Sequence, residues 1–200
     1  MSDLTITYRG TVYPWQCDHM GHMNVMWYTG KFDEATWQLL SKLGLTRSRC
    51  RKEGTGMAAV EQHLEYKREL RAGDLVTIRS AVLEIRNKSI RITHEMRNDD
   101  TGEVAAISII VAVHMDVITR KGCPLPLDVR ERAMLMIEGP AAGELTDPHR
   151  SLVPDDAPLI AMFAKLNATA ERPVNGDRVR QDEGHADHGD EQHDPQRSLA

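Results

Sequence analysis

The alternation of apolar and polar residues along the chain predicts one strand, one long helix and then four further strands. Residues 4–13 alternate with the two-residue period of a half-buried strand. The apolar members of this alternation are Leu4, Ile6 and Tyr8, and the polar members are Thr5, Thr7 and Arg9. Pro14 follows and ends the strand.

A helix is predicted over residues 25–43, where apolar residues recur at steps of three and four positions. The stripe consists of Tyr28, Phe32, Ala35, Leu39 and Leu43. Asn24 suits the N-cap of this helix, and Gly44 suits its C-terminal stop. Gly30 inside the helix costs roughly 1 kcal/mol relative to alanine, which predicts a close approach to a packed sheet at that position.

After a polar, basic connector at residues 46–56, the pattern predicts four consecutive strands in an antiparallel meander. The first of them has two distinct faces: Ala58, Val60, Leu64 and Tyr66 on one, and Glu61, His63, Glu65 and Lys67 on the other. Turn sequences at 72–74, 86–89 and 98–102 separate the strands. Residues 104–113 form the longest apolar run, too short for the roughly 20 residues of a membrane span, and typical of a central strand.

These elements predict an α+β domain in which the helix packs across an antiparallel sheet of five strands. A short helix near residues 127–137 closes the domain, which we place at residues 1–138. Residues 139–170 form an extension that contains a possible amphipathic helix at 157–170, able to dock on the core. Residues 171–200 lack aromatic residues and are rich in Asp, Glu, Gly, Gln and His, which predicts a disordered tail.

Composition excludes several classes of function. The net charge is −5, and the sequence has no basic patch of the kind that binds nucleic acid or a membrane surface. We therefore expect a small-molecule or protein partner. The N-terminus lacks the pattern of a signal peptide, which predicts a cytoplasmic protein. Three cysteines, Cys17, Cys50 and Cys123, are odd in number and show no metal spacing, which argues against a disulfide framework.

The sequence that directly precedes the long helix carries the candidate chemistry. It reads Asp18-His19-Met20-Gly21-His22-Met23-Asn24. This motif, with a strand before it and a long helix after it, resembles the signature of the hot-dog-fold acyl-CoA thioesterases of the 4-hydroxybenzoyl-CoA thioesterase type. The helix end at residues 42–45 and the Arg-Ala-Gly-Asp turn at 71–74 are also similar, and the resemblance covers about residues 4–137. It implies a hot-dog fold and hydrolysis of an acyl-CoA to a carboxylic acid and CoA, with no separate cofactor.

The resemblance also implies roles for residues of the motif. Asp18 would act either as a nucleophile or as the general base that activates water, and the sequence does not separate these routes. The amide of Val25 would donate to the oxyanion. His22 matches a loop-shaping histidine and could touch substrate, while Asn24 is expected chiefly as the N-cap. The spacing of Asp18 and Gly21 is also that of an ordinary type I turn, which needs no catalysis.

Residues outside the motif complete the predicted site. Four basic residues are candidates for the phosphates of CoA: Arg86, Lys88, Arg120 and Lys121. Glu61 could contribute to the pocket of a facing subunit. Trp15 and Trp27, with Tyr13 and Tyr28, could hold a flat acyl group or a trimethylammonium head, although rings in such positions more often pack in the core.

Other readings of these residues are weaker. His19 and His22 have no third ligand nearby, so no metal is predicted there, and His185, His188 and His193 fall in the acidic tail. Cys17 has no motif histidine to activate it as a nucleophile.

A homodimer or homotetramer is expected, because five strands and one helix leave part of the sheet uncovered. Two alternatives stay open: an acyl-CoA-binding sensor without turnover, and a hot-dog hydratase or dehydratase that uses His22.

Overall fold

A computed structural model describes residues 4–138 of the 200-residue chain. Its strands are β1 (Thr5–Thr11), β2 (Thr55–Tyr66), β3 (Leu75–Ile85), β4 (Ser89–Asn98) and β5 (Val104–Asp116). Its helices are α1 (Val25–Lys42), α2 (Arg47–Glu53) and α3 (Leu127–Glu138), with a single 3-10 turn at Pro14–Gln16. All predicted elements within this range are present, and α2 lies where a connector was expected. The helix predicted at 157–170 and the tail predicted at 171–200 lie outside the described residues.

The strands form one antiparallel sheet in the order β1-β3-β4-β5-β2. The predicted meander is therefore wrong for β2, which pairs with β5 instead of β3; Ala58, for example, lies opposite Val113. The chain that follows β2 explains the difference. Leu70 is fully buried beneath the start of α1 and its carbonyl accepts the amide of Met23 at 2.7 Å, so the chain leaves the sheet before it returns as β3.

The apolar stripe of α1 packs against the sheet as its spacing predicts. Each of its five residues is buried, with no more than 4% of the surface of any of them exposed. Leu39 and Leu40 share a buried cluster with Val82 of β3 and Val129 of α3, so α1 and α3 cover the same face of the sheet. The free energy of burying such apolar side chains, about 1.5–3 kcal/mol for each, fixes α1 in this position.

Gly30 does not make the close contact that was predicted for it. It lies on the exposed side of α1, and a Cβ atom built on it meets no atom within 4 Å in the described chain. The two positions that flank it on the buried stripe, Tyr28 and Phe32, make the contacts with the core instead. Gly44 behaves as expected, because its φ of +98° ends the helix in the left-handed conformation.

Bulges alter the faces of two strands. A register shift between Ile6 and Tyr8 leaves Ile6 41% exposed and Thr7 buried, the reverse of the predicted alternation. A second shift, at Val60 of β2, places Ala58 on the same face as Glu61 rather than on the face of Leu64. An extra residue in one strand switches the side to which the following residues point, and a simple two-residue period does not reveal it.

Candidate active site

The loop before α1 is a tight hairpin held by its own backbone. The amide of Asp18 donates to the carbonyl of His22 at 3.1 Å, and the amide of Gly21 donates to the carbonyl of Asp18 at 3.0 Å. Gly21 has a φ of +83°, the left-handed conformation that glycine adopts without strain. The buried side chain of Met23 anchors the end of the hairpin. The predicted turn at residues 18–21 is thus confirmed.

Both oxygens of the Asp18 carboxylate are hydrogen-bonded. Oδ1 accepts the amide of Met20 at 2.9 Å, and Oδ2 accepts the side-chain amide of Asn24 at 3.2 Å. The backbone hydrogen bond from Met20 is the main reason that the pKa of Asp18 lies below its usual value, and Asn24, His22 and His19 lower it further. The half-buried carboxylate is therefore ionised at neutral pH.

Asn24 joins this carboxylate to the first turn of α1. Its Oδ1 accepts the amide of Met26 at 3.1 Å, as an N-cap does, and its carbonyl accepts the amide of Trp27 at 2.9 Å. The predicted N-cap is confirmed. The amide of Val25 is left without an acceptor among residues 4–138, as expected for one of the first amides of a helix. Such an amide at the positive end of the helix dipole is suited to hold a negative oxygen.

A cleft of about 270 Å³ opens beside this end of α1. Its lining consists of His22, Met23, Val25, Tyr28, Tyr66, Lys67, Arg68 and Glu69. His22 Nε2 lies 3.6 Å from Glu69 Oε1, so the predicted loop histidine faces an acidic residue inside the cleft. The hydroxyl of Tyr28 donates to the carbonyl of Arg68 at 3.4 Å, and burial raises the pKa of Tyr28 to about 12. This phenol is therefore a neutral wall of the cleft.

Four residues of the cleft were missed by sequence analysis as site residues: Tyr66, Lys67, Arg68 and Glu69. They lie at the end of β2 and in the turn after it, about 45 positions from the motif. The backbone bond from Met23 to Leu70 brings this turn beneath the hairpin. No local pattern marks such a long-range contact, although a half-exposed tyrosine next to three charged residues was a possible signal.

The basic residues predicted for CoA phosphates lie at the other end of the sheet. Lys88 accepts the amide of His114 through its carbonyl at 2.8 Å, and Lys121 accepts that of Asp116 at 3.0 Å. Arg86, beside Lys88, pairs with Glu84 at 2.7 Å, and Arg120 is exposed in a left-handed conformation with φ of 57°. All four therefore surround the C-terminal end of β5.

The Asp18 hairpin lies by the opposite end of β5. There the amide of Lys67 donates to the carbonyl of Ala105 at 2.8 Å, and Leu70 holds the hairpin. The 13 residues of β5 separate the two ends by roughly 40 Å. A single chain does not bring the four basic residues to Asp18.

The remaining candidates also lie outside the cleft of a single chain. Glu61 sits in the middle of β2 and pairs with Val111, on the face opposite α1. Trp15 is 68% exposed and stacks on Tyr13 with ring centroids 4.4 Å apart, while Trp27 packs against the buried cluster under α1. Cys17 packs at the edge of the same cluster. These substrate-binding assignments stay predictions.

The described residues contain neither a metal-binding cluster nor a helix that could span a membrane. No group of three histidine, cysteine, aspartate or glutamate side chains in residues 4–138 is placed to hold a metal ion. None of the helices in that range is both long and apolar enough to cross a membrane. The predicted cytoplasmic location stays a prediction, and the tail histidines lie outside the described residues.

One protein family and three known proteins are similar to this chain. A family model described as "Thioesterase-like superfamily" matches residues 12–133. A betainyl-CoA thioesterase of Pseudomonas aeruginosa is 26% identical over 138 residues, which are 69% of this chain and 87% of that protein. Two solved structures are similar, a Staphylococcus aureus protein in complex with CoA and a 1,4-dihydroxy-2-naphthoyl-CoA thioesterase from Synechocystis.

The structural matches establish the fold. The Staphylococcus aureus protein superposes with a TM-score of 0.64 at 18% identity, and the match covers 74% of this chain and 90% of that one. The Synechocystis enzyme superposes with a TM-score of 0.58 at 18% identity over 64% of this chain and 95% of its own. The hot-dog fold predicted from the sequence is confirmed.

Proposed function

Because the chain belongs to the thioesterase-like superfamily, and the predicted thioesterase is confirmed at that level, we propose that it hydrolyses acyl-CoA with Asp18 as its catalytic carboxylate. One observation carries the assignment to Asp18: Asn24 caps α1 with one side-chain atom and binds the Asp18 carboxylate with the other. The carboxylate is thereby held at a helix end whose first amide, that of Val25, is available to substrate.

The proposed reaction uses both the carboxylate of Asp18 and the amide of Val25. The thioester oxygen lies against the amide of Val25, which stabilises the negative charge as the carbonyl carbon becomes tetrahedral. Loss of one such donor costs about 2.7–4 kcal/mol in other enzymes. In the nucleophilic route, Asp18 attacks the carbonyl carbon, the C–S bond breaks, and CoA leaves as a thiolate. Water then hydrolyses the anhydride. In the general-base route, Asp18 takes a proton from the water that attacks the carbonyl directly.

The lowered pKa of Asp18 favours the nucleophilic route. A general base is most effective when its pKa lies near the working pH, whereas a nucleophile need only be ionised. The hydrogen bonds from Met20 and Asn24 keep Asp18 ionised but make it a weak base. Turnover of a single substrate molecule in H₂¹⁸O separates the routes. Attack of water on the Asp18 side of the anhydride places label in the Asp18 peptide, which the general-base route never does.

The variant Asp18→Asn tests the assignment itself. It keeps the size of the side chain and its capacity to accept a hydrogen bond, but it removes the negative charge. We expect thiol release by the wild type from a panel of acyl-CoAs, and at least about a 100-fold lower kcat in the variant, the scale of positioned acid–base groups. The variant Asp33→Asn, which changes an exposed carboxylate of α1 outside the hairpin, is the matched control. Equal turnover by Asp18→Asn would refute the role, and binding of acyl-CoA without thiol release would favour a sensor.

A homodimer is part of the proposal, because one chain separates the catalytic end from the basic end. The pantetheine arm of CoA has about the length of five extended residues, roughly 17 Å, which is less than half of β5. β2 is an edge strand of 12 residues, and its unpaired edge suits antiparallel pairing with a second copy. Such pairing would bring the partner's basic end toward Asp18, and it leaves dimer against tetramer open.

Mixing two inactive variants tests the shared site. In a mixed dimer of Asp18→Asn with Arg86→Ala/Lys88→Ala, one site combines an intact Asp18 with an intact basic turn from the other chain. We expect activity to return in mixed dimers, toward half that of the wild type. If each site were built within a single chain, mixing would restore nothing.

A further inference from the structure

The cleft beside Val25 has features that select the acyl group, and this inference rests on the proposed function. We propose that Tyr66, Tyr28 and Glu69 form a subsite for a short acyl group that ends in a quaternary ammonium. The cleft volume of about 270 Å³ lies at the small end of ligand pockets, which favours a short acyl group over a long chain.

Two aromatic rings form one wall of this subsite. Tyr28 and Tyr66 meet edge to face, with ring centroids 5.2 Å apart and an angle of 82° between the rings. Tyr28 is buried and Tyr66 is 49% exposed. The ring of Tyr66 therefore packs against a buried ring and is still accessible from the cleft. A cation within about 6 Å of such a ring is attracted by its quadrupole, and a quaternary ammonium, which donates no hydrogen bond, is bound well in this way.

The charges around the cleft complete the subsite. Glu69 is the single carboxylate of its lining, and its contacts with His22 at 3.6 Å and Arg71 at 3.8 Å are longer than hydrogen bonds. The two cations of the lining are held by acids that lie outside it, Lys67 by Glu65 and Arg68 by Glu103 at 3.3 Å. Glu69, with 61% of its side chain exposed, is therefore the carboxylate that a cationic acyl group in the cleft would meet. A betainyl group, named in the relative from Pseudomonas aeruginosa, has this chemistry.

A pair of substrates with the same shape tests the subsite. Betainyl-CoA carries a trimethylammonium group, and 3,3-dimethylbutanoyl-CoA carries a neutral tert-butyl group in its place. We expect the wild type to show kcat/KM at least about tenfold higher for the cationic substrate, the scale of a desolvated cation–π contact. Equal kcat/KM values, with good turnover of both, would overturn the subsite and leave the proposed function intact. Lack of thiol release from every acyl-CoA would overturn both.

Variants assign the preference to residues. Glu69→Gln and Tyr66→Leu should lower the cationic-to-neutral ratio of kcat/KM about threefold or more, whereas Tyr66→Phe keeps the ring and should keep the ratio. Glu131→Gln is the matched control, because it removes an exposed carboxylate from α3, which packs against the C-terminal half of α1 and does not line the cleft. If Glu69→Gln lowers kcat/KM equally for both substrates, Glu69 supports the loop and does not recognise the charge. The ratio needs folded protein only, so partial loss of stability leaves the test valid.

Discussion

Lowering the pH from 7.5 to 4.5 should destabilise the protein through one buried side chain, His94. Its ring is fully buried between the sheet and α1, with its centroid 5.9 Å from that of Phe32. Burial lowers the pKa of His94 from 6.5 to about 3. The ring is therefore neutral in the folded protein over the whole of this pH range.

The hydrogen bonds around His94 fit the neutral ring. The hydroxyl of Thr36 donates to the carbonyl of Phe32 at 2.8 Å. The Thr36 oxygen therefore accepts a hydrogen bond from the N–H of His94 Nε2 at 2.9 Å. His94 Nδ1 then accepts the hydroxyl of Ser80 at 2.6 Å, and the Ser80 oxygen lies 2.5 Å from that of Thr7. A second proton on the ring would place a charge in the core and set two donors against each other.

The sign and size of the effect follow from the two pKa values. The unfolded chain binds a proton near pH 6.5 and the folded chain only near pH 3, so stability is full at pH 7.5 and falls as the pH decreases. Between pH 7.5 and 4.5 the free energy of unfolding should fall by about 3 kcal/mol, at about 1.4 kcal/mol for each pKa unit. Asp18, Asp116 and Asp128 have lowered pKa values and contribute mainly below pH 4, outside this window.

Chemical denaturation at fixed protein concentration, followed by tryptophan fluorescence, measures this loss. His94→Gln should be less stable than the wild type at pH 7.5 but should lose most of the pH dependence between 7.5 and 4.5. His19→Gln, which removes an exposed histidine from the same protein, should keep it. A wild type whose stability is flat across this range, or a His94→Gln variant that retains the slope, would refute the reasoning.

Three further predictions concern the hairpin, α1 and the link between α2 and α3. Asn24→Ala should cost about 1 kcal/mol of stability as a lost N-cap and should lower kcat in the thiol-release assay; unchanged kcat would mean that Asn24 does not position the carboxylate. In thermal unfolding, Gly21→Ala should destabilise the protein by about 1–2 kcal/mol, because Gly21 has a φ of +83°. Gly30→Ala should stabilise it by up to about 1 kcal/mol, because a Cβ atom there meets no neighbour in the described chain. A loss of stability in Gly30→Ala would indicate that a partner covers this position. Arg49 donates two hydrogen bonds to Asp128, but both side chains are partly exposed, so a double-mutant cycle with Arg49→Met and Asp128→Asn should give a coupling of no more than about 1 kcal/mol.

Local periodicity was sufficient for most elements of the fold. The bounds of β3 are those that the sequence predicts, and the stripe of α1 is buried at every position. The stripe of α1 is readable because that helix buries one face against the sheet, and β3 is readable because its apolar and β-branched residues lie between two turn sequences. α2 is different: its seven residues carry no apolar stripe, and it depends on the cap from Thr46 and on the ion pair between Arg49 and Asp128, 79 positions away in the chain.

Strand order and the composition of the cleft depended on contacts between distant residues. The position of β2 beside β5 follows from the path through Leu70, and the same path brings Tyr66 and Glu69 under the motif hairpin. The motif itself was readable because Asp18, Gly21 and Asn24 act through neighbours within six positions. The sequence shows that these turns are basic. Their distance from Asp18 depends on the pairing of whole strands, which a local pattern does not reveal.

The turn-forming and catalytic readings of Asp18 are compatible, because they use different lone pairs of one carboxylate. An ionised carboxylate has about four acceptor sites, and the bonds from Met20 and Asn24 occupy two. The same two bonds lower the pKa of Asp18 and fix its orientation, and they leave one acceptor site of each oxygen unused. A residue that only formed the turn would not need Oδ2 to bind the residue that caps α1. That second bond connects the turn to the helix end, and it is the contact on which the proposed role of Asp18 depends.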